Sequence, residues 1–173
     1  MLPVAGKEIW SWVKSLALAI ILALLIRENV LAFYMVDGTS MLPTLNDGQM
    51  VAVNKLVYRF GEPDHGDVVV FRDRGAGGGR VLIKRVIAIP GDTVQISEGQ
   101  VWVNGQQLEE EYITADTEGN LGPLFIEPGF IYVMGDNRNP GMSWDSRAFG
   151  PIPLPSVLGR AEFVIFPYPQ GID

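Results

Sequence analysis

The feature that most constrains this chain is an apolar run near its N-terminus. Ser15–Ile26 contains 12 residues without a charge, which as a helix would extend about 18 Å. The hydrocarbon core of a membrane is roughly 30 Å thick. Starting at Ile9 gives 18 residues and about 27 Å. Trp10 and Trp12 suit a membrane interface, and Lys14 can reach the headgroups. The run therefore predicts a transmembrane helix.

A cleaved signal peptide and a buried helix both fit this run less well. A cleaved secretory signal peptide needs small residues at the third and first positions before its cleavage site, and none follow the run suitably. A buried helix would carry a polar stripe, which the run lacks. We therefore predict a single-pass anchor with an interfacial extension at residues 9–36. Lys7 and Lys14 favour a cytoplasmic N-terminus at residues 1–8. Residues 37–173 would then lie outside the cytoplasm, at the cell membrane.

The composition excludes several classes of function. The net charge is -7 and no basic stripe appears, so we expect no nucleic acid partner. The chain has no cysteine, which excludes a thiol nucleophile and thiolate metal sites. Its one histidine, His65, is too few for a histidine-rich metal site and is expected in a solvated loop. The sequence therefore predicts no metal.

The remainder of the chain has the pattern of a β protein. From Gln49 onward, short β-branched and aromatic runs alternate with turn signals, which predicts strands. Asn104-Gly105 is the signal of a type I′ hairpin turn. The glycine-rich stretch 72–80 is expected to be a flexible hairpin loop, since no phosphate-binding motif follows it. The predicted fold class is mainly β, with folded antiparallel sheets preceded by one transmembrane helix.

A possible nucleophile lies just beyond the anchor, in the stretch Gly-Thr-Ser-Met-Leu-Pro. Gly38 permits a tight turn, and Pro43 makes its exit rigid. Ser40 could therefore present its hydroxyl beside backbone N–H groups that bind an oxyanion. Most serines in turns have no catalytic role, so this stretch alone is a weak indication.

A possible general base lies in the predicted strand Val81–Ile89. Because side chains alternate along a strand, Lys84 shares its face with Leu82 and Val86. Apolar neighbours desolvate the amine and lower its pKa, so that a neutral lysine can accept a proton. Ser–Lys pairs are a known alternative to the histidine triad. A lysine at a sheet edge that reaches water would fit the same pattern.

The densest polar cluster of the chain lies at residues 136–147, directly after an apolar strand. It carries both signs of charge, which suits an internally bonded framework, although a polar surface loop has the same composition. Arg85 would lie on the face opposite Lys84, and a buried guanidinium there needs a carboxylate partner. Asp136 and Asp145 are the candidates.

Taken in order, the three segments resemble the sequence boxes of bacterial type I signal peptidases, the membrane-bound serine endopeptidases also called leader peptidases. SMLPTL resembles the nucleophile box of that family, IKRVIAIPGD its lysine box, and GDNR with SWDSR its C-terminal box. The resemblance implies a mostly β catalytic domain without metal or cofactor. Its partners would be the membrane lipid and exported preproteins, from which it removes signal peptides after a small-x-small pattern.

The resemblance also implies roles for individual residues. Ser40 would be the nucleophile and Lys84 the general base, with Ser143 hydrogen-bonded to the lysine amine. A supporting ion-pair framework would consist of Arg85, Asp145 and Arg147, with Asp136 holding the loop. Three residues would line shallow pockets for small substrate side chains: Val36, Met41 and Ile83.

Two positions depart from the family pattern. Gly38 stands where many Gram-negative members have a serine that donates to the oxyanion, so backbone N–H groups such as that of Ser40 would do this work. Four residues, 139–142, separate GDNR from Ser143, where the family usually has two. Two alternative functions remain open, a membrane-anchored β domain that binds peptides without cleaving them and another Ser/Lys protease.

Overall fold

The computed structural model describes residues 4–73 and 79–172, without the side chains of residues 4–7 and 25–28. The centre of the expected glycine-rich loop lies outside these residues. Helix α1 (Val4–Asn29) contains the apolar run, so its helical conformation is confirmed. No helix among the described residues is long and apolar enough to cross a membrane.

The chain passes from α1 directly into the larger of two antiparallel sheets. Residues 31–35, in the predicted interfacial extension of the anchor, form an edge strand whose backbone pairs along its whole length with the next strand. Eight strands of the described chain make up this sheet: β1 (Leu31–Met35), β2 (Met50–Asn54), β3 (Val68–Arg72), β4 (Val81–Ala88), β9 (Phe130–Met134), β10 (Ile152–Pro153), β11 (Val157–Phe166) and β12 (Gln170–Gly171). Their order is β1-β2-β11-β3-β4-β9-β10, with β12 beside β11.

A smaller sheet is inserted between β4 and β9. Its four strands, in the order β7-β6-β5-β8, are β5 (Thr93–Ser97), β6 (Gln100–Val103), β7 (Gln106–Gln107) and β8 (Leu121–Phe125). Asn104 and Gly105 join β6 to β7 with φ angles of 53° and 76°, as the predicted type I′ turn requires. The short helices are α2 (Val57–Phe60), α3 (Ser146–Phe149) and a 3-10 turn at Leu154–Ser156. The prediction of a mainly β, antiparallel fold is confirmed.

Strand β4 has two faces that pack into different parts of the core. Lys84 lies opposite Val69 on β3, whereas Arg85 lies opposite Val68. Val69 and Val68 belong to separate apolar clusters, so the alternation predicted for this strand is confirmed. Strand β9 pairs with β4 only from Arg85 onward. In the described part of the chain, no strand pairs with that side of residues 81–84, which leaves a strand edge beside Lys84.

Candidate active site

Ser40 and Lys84 are brought into contact, although 44 positions separate them in the chain. Ser40 lies in the turn that follows β1, and Lys84 lies at the open edge of β4. The distance from Lys84 Nζ to Ser40 Oγ is 2.7 Å, and the amine also donates to the carbonyl of Ile83 at 2.7 Å. The geometry allows a proton to pass directly between the hydroxyl and the amine.

The surroundings of Lys84 favour its neutral form. The residue is only 2% exposed, and burial lowers the pKa of its amine from 10.5 to about 8. The negative charges of Asp145 and Asp136 oppose this shift but do not cancel it. An amine with a pKa near 8 is partly neutral at physiological pH, so it can accept a proton there.

Three hydrogen bonds from distant residues hold the turn around Ser40. Gly38 has φ +99°, a conformation that favours glycine, and its N–H donates to Asp47 Oδ1 at 2.7 Å. Asn137 donates its backbone N–H to the Ser40 carbonyl and its side-chain amide to the Thr39 carbonyl, each at 3.0 Å. No sequence pattern had indicated Asp47, and Asn137 was visible only as a member of the polar cluster.

Ser143 lies close to the turn but contacts a different group from the one we expected. Its hydroxyl donates to Asp145 Oδ2 at 2.6 Å, and no hydrogen bond joins it to Lys84 within the described residues. Gly135 explains how the two serines come together. A Cβ atom at Gly135 would lie 2.3 Å from Ser143 Oγ and 2.4 Å from the Ser40 carbonyl, so only glycine fits there.

The buried Arg85 has Asp136 as its carboxylate partner. Arg85 Nε and Nη2 donate to the two carboxylate oxygens of Asp136 at 3.0 and 2.8 Å. Thr44, from the end of the nucleophile turn, donates to the same carboxylate at 2.5 Å. The ring of Tyr112 stacks on the guanidinium, with 4.0 Å from its centroid to Arg85 Cζ. Of the two candidate partners, the structure selects Asp136, and this pair ties β4 to the nucleophile turn.

Asp145 and Arg147 form a second, separate ion pair. Arg147 Nε and Nη2 donate to the two oxygens of Asp145 at 2.9 and 2.8 Å, and the backbone N–H of Gly135 donates to Asp145 Oδ2 at 3.0 Å. Burial alone would raise the pKa of the Asp145 carboxyl, but Arg147, Gly135 and Ser143 hold it below its usual range. The single ion-pair framework that we expected therefore consists of two pairs, which fix the C-terminal box.

A second buried arginine connects the smaller sheet to the site. Arg138 makes two hydrogen bonds to the carboxylate of Glu110, donates to Thr117 at 2.6 Å and donates to the carbonyl of Gly135 at 2.9 Å. Tyr112 donates to the same Glu110 carboxylate at 2.8 Å. We did not expect Glu110, Thr117 or Tyr112 near the site, because nothing in that loop marks a contact with residues so far away in the chain.

A cleft of about 120 Å³ opens beside Ser40 and Lys84. Its walls come from the end of β1 and the open edge of β4, and they include Val36 and Ile83, as expected. Met41 was expected there but is buried in the core. The Met41 carbonyl accepts the Leu45 N–H at 2.8 Å, so the chain coils after Ser40 and directs the methionine inward.

His65 makes a contact that the sequence did not predict. Its Nε2 lies 2.7 Å from Asp92 Oδ2, although 40% of the side chain is exposed. Burial would raise the pKa of the Asp92 carboxyl, but hydrogen bonds from Ile89 N–H, Asn104 and His65 hold it below its usual range. His65 is thus a loop histidine that supports the junction of the two sheets and lies apart from Ser40 and Lys84.

Comparisons with known proteins point to one family. The sequence model of the family described as signal peptidase, peptidase S26, matches residues 9–166. A probable signal peptidase I-1 of Synechocystis sp. is 40% identical over 168 residues, which cover 91% of this chain and 85% of that protein. Signal peptidase I S of Bacillus subtilis is 37% identical over 174 residues, covering 94% of this chain and 91% of that protein.

The structural comparison points to the same family. A crystal structure of a signal peptidase I from Enterococcus faecalis V583 has 27% sequence identity and a TM-score of 0.50, covering 58% of this chain and 97% of that one. The chain belongs to the signal peptidase family, peptidase S26. The family predicted from the three boxes is therefore confirmed, and so is the class of enzyme, a signal peptidase I hydrolase.

Proposed function

We propose that this chain removes N-terminal signal peptides from exported preproteins, with Ser40 as the nucleophile and Lys84 as its general base. The observation that carries the proposal is the 2.7 Å contact between Ser40 Oγ and a buried lysine amine whose pKa is lowered to about 8. A serine hydroxyl is a weak nucleophile until a base takes its proton, and a neutral amine within hydrogen-bond distance can do so.

The reaction is an acyl transfer in two stages. Ser40 Oγ bonds to the scissile carbonyl carbon while Lys84 takes the hydroxyl proton. Lys84 passes this proton to the leaving nitrogen as the carbon–nitrogen bond breaks, which leaves an acyl-enzyme. Water then attacks the acyl carbon and gives a proton to Lys84. The ester bond breaks, Ser40 regains a proton from Lys84, and the signal peptide leaves with a new carboxyl group.

The backbone at Ser40 supplies the donor for the developing oxyanion. Gly38 has no side-chain donor, and its own N–H is engaged by Asp47 at 2.7 Å. Among the described residues the Ser40 N–H makes no hydrogen bond, so it is available to a substrate oxygen. A preorganised backbone donor of this kind stabilises the charge that develops in the transition state.

The cleft suits an extended peptide with small side chains. The open edge of β4 at residues 81–84 can pair with a substrate backbone, in the manner of strand addition. Val36, Val70 and Ile83 make the walls beside Ser40 apolar. A volume of about 120 Å³ is small, which supports selection of the small-x-small pattern. Substrate specificity would then follow from the shape of the cleft rather than from charge.

We also propose that the chain acts at the cell membrane, with α1 as a single-pass anchor, its N-terminus inside and residues 37–173 outside the cytoplasm. The support is exposed apolar surface. Phe33 and Phe163 both lie opposite Ala52, and Met35 and Phe166 both lie opposite Met50. Side chains directly opposite on paired strands share a face. The described part of α1 adds exposed apolar side chains: Ile9, Trp10, Trp12, Val13, Leu16, Leu18, Ile20, Ile21, Leu22 and Leu24.

The test is cleavage of a model preprotein in detergent micelles by the full chain, with sequencing of the new N-terminus. Ser40→Ala is expected to abolish cleavage, whereas the control Ser97→Ala on β5 is expected to cut normally. Equal cleavage by the Ser40→Ala variant would refute the proposal. Binding without cleavage by the unchanged protein would favour the peptide-binding alternative. Cleavage away from signal-peptide junctions would indicate another Ser/Lys protease.

A further inference from the structure

The nucleophile turn depends on a residue that is distant in the sequence. Asn137 is 8% exposed and binds the turn twice, at the carbonyl of Ser40 through its backbone N–H and at the carbonyl of Thr39 through Nδ2. Both distances are 3.0 Å. The Thr39 carbonyl also accepts the N–H of Leu42 at 3.2 Å, so it has two donors. The two consecutive carbonyls on either side of the Ser40 nitrogen and Cα are thereby fixed.

Fixing a carbonyl also fixes the N–H of the same peptide group. A trans peptide is planar, with its C=O and N–H pointing in opposite directions. The peptide between Thr39 and Ser40 is trans, because the cis bonds of the described chain are at Leu42-Pro43 and Phe166-Pro167. The bond from Asn137 to the Thr39 carbonyl therefore sets the direction of the Ser40 N–H, the donor left to the oxyanion where Gly38 offers no hydroxyl.

The orientation of the Asn137 side chain is set in turn by the segment 139–142, which is longer than the usual spacing of the family. Asn139 donates its side-chain Nδ2 to Asn137 Oδ1 at 2.9 Å, and its backbone N–H contacts the same oxygen at 3.4 Å. The terminal torsion of an asparagine is soft and roughly two-fold. Holding Oδ1 towards Asn139 leaves Nδ2 directed at Thr39, so the first residue of the longer segment selects the useful orientation of the amide.

We infer that Asn137 is a positioning residue for the Ser40 N–H and that Asn139 orients its amide for this task. The inference rests on the proposed function, since it assigns the Ser40 N–H to the oxyanion. It accounts for Gly38 as well, because a backbone donor can replace a side-chain donor only when its direction is fixed. It also gives the segment 139–142 a part in catalysis beyond joining two boxes.

The experiment measures kcat and KM for a model preprotein with full-length variants in detergent micelles. Asn137→Asp keeps the size but replaces the donor to Thr39 with an oxygen, and kcat is expected to fall about 10- to 100-fold, which is less than the roughly 100- to 1000-fold effect of removing one oxyanion donor outright. Asn139→Ala removes one support of the amide and is expected to lower kcat about threefold to tenfold, a fraction of that effect. Asn139→Asp is expected to lower it further, since two acceptor oxygens would then meet. Asn120→Ala, in an exposed loop of the smaller sheet, is the control.

Loss of a positioning role can be distinguished from a general loss of stability. For Asn139→Ala, KM, Tm and the pH midpoint of kcat/KM should equal those of the unchanged chain while kcat falls. If kcat is unchanged in Asn137→Asp and in both Asn139 variants, the inference is overturned. It is also overturned if kcat falls only in those variants whose Tm falls, because the loss would then reflect reduced stability. The outcome for Ser40→Ala separates the two proposals. Cleavage by that variant overturns the proposed function, whereas its inactivity beside fully active asparagine variants overturns only this inference.

Discussion

Lys84 and Arg85 are neighbours on one strand, and each is 2% exposed, yet their environments are opposite. The Lys84 amine meets a hydroxyl and a carbonyl, while the Arg85 guanidinium is bound through two nitrogens by Asp136. Burial without a carboxylate contact lowers the pKa of the lysine, whereas the arginine is held in an ion pair with Asp136. Adjacent positions of equal burial thus hold a lysine whose amine has a lowered pKa and an arginine in a fixed ion pair.

This difference depends on which face of β4 each side chain occupies. The Lys84 amine reaches Ser40, and the Arg85 guanidinium reaches Asp136 at the start of the C-terminal box. Strand alternation therefore gives one short segment two tasks at once. The same strand carries Lys84, the proposed base, and through Arg85 it anchors both Asp136 and Thr44 of the nucleophile turn.

The largest expected effect comes from replacing Lys84 with arginine, the residue type of its neighbour. In Lys84→Arg the guanidinium stays protonated at every accessible pH, so it cannot take the proton of Ser40. We expect kcat/KM for a model preprotein to fall by at least about a thousandfold, within the range of general acid–base catalysis. Cleavage within tenfold of the unchanged chain would show that Lys84 is not the base. Arg59→Lys, on the exposed helix α2, serves as the control.

Removing Arg85 should affect folding more than chemistry. Arg85→Met leaves Asp136 buried without its main partner, and we expect the free energy of unfolding to fall by roughly 3–5 kcal/mol, as for other broken buried pairs. The double variant with Asp136→Leu removes the unpaired charge as well and should recover part of this loss. Chemical denaturation of the unchanged chain, the single variant and the double variant measures both the loss and the recovery of stability. Equal stability of the single and double variants would contradict the account of the pair.

The pH profile sharpens the comparison, because burial lowers the pKa of the Lys84 amine to about 8. Below its pKa of about 8 the amine is protonated, so kcat/KM should fall about tenfold for each pH unit of acidification. The effect of Lys84 on the stability of the protein falls in a higher pH range. The unfolded chain binds more protons between pH 8 and 10.5, so this group makes the protein more stable as pH rises through that window. A profile that is flat down to about pH 5 would exclude a lysine base.

The smallest expected effect concerns the ring that stacks on Arg85. Tyr112→Leu removes the cation–π contact, and we expect a loss of about 1–2 kcal/mol in the free energy of unfolding. Tyr112→Phe keeps the ring and loses only the hydrogen bond to Glu110, so it should retain most of the stability. Neither change should move the pH midpoint of kcat/KM. A larger loss with phenylalanine than with leucine would mean that the hydroxyl, and not the ring, is the important group.

Much of the site could be predicted from the sequence because its parts follow a regular repeat. Alternation along a strand placed Lys84 and Arg85 on opposite faces before any contact was known, and the need for a carboxylate near Arg85 narrowed its partner to two residues. The apolar run correctly indicated a helix, but nothing in the sequence of its extension indicated that residues 31–35 would pair with β2.

The expectations that failed concern residues outside the regular strands. The side chain of Met41 is directed by the coil of an irregular turn, which residue type does not specify. Ser143 was matched to Lys84 by the resemblance of its segment to the C-terminal box, whereas the buried Asp145 two residues later is the stronger acceptor and accepts its hydrogen bond at 2.6 Å. Glu110 and Asn137 act through contacts between distant segments, and such pairs leave no local pattern in a single sequence.

The bonds from Asn137 to the nucleophile turn join residues up to 98 positions apart. Ser40 and Lys84 both lie in the first half of the chain, but the clamp on the turn needs Asn137, which follows β9. Joining segments so far apart costs loop-closure entropy, which the packing around them must offset. The shape of the turn at Ser40 is therefore a property of the whole folded domain, and a chain that ends before residue 137 would lack it.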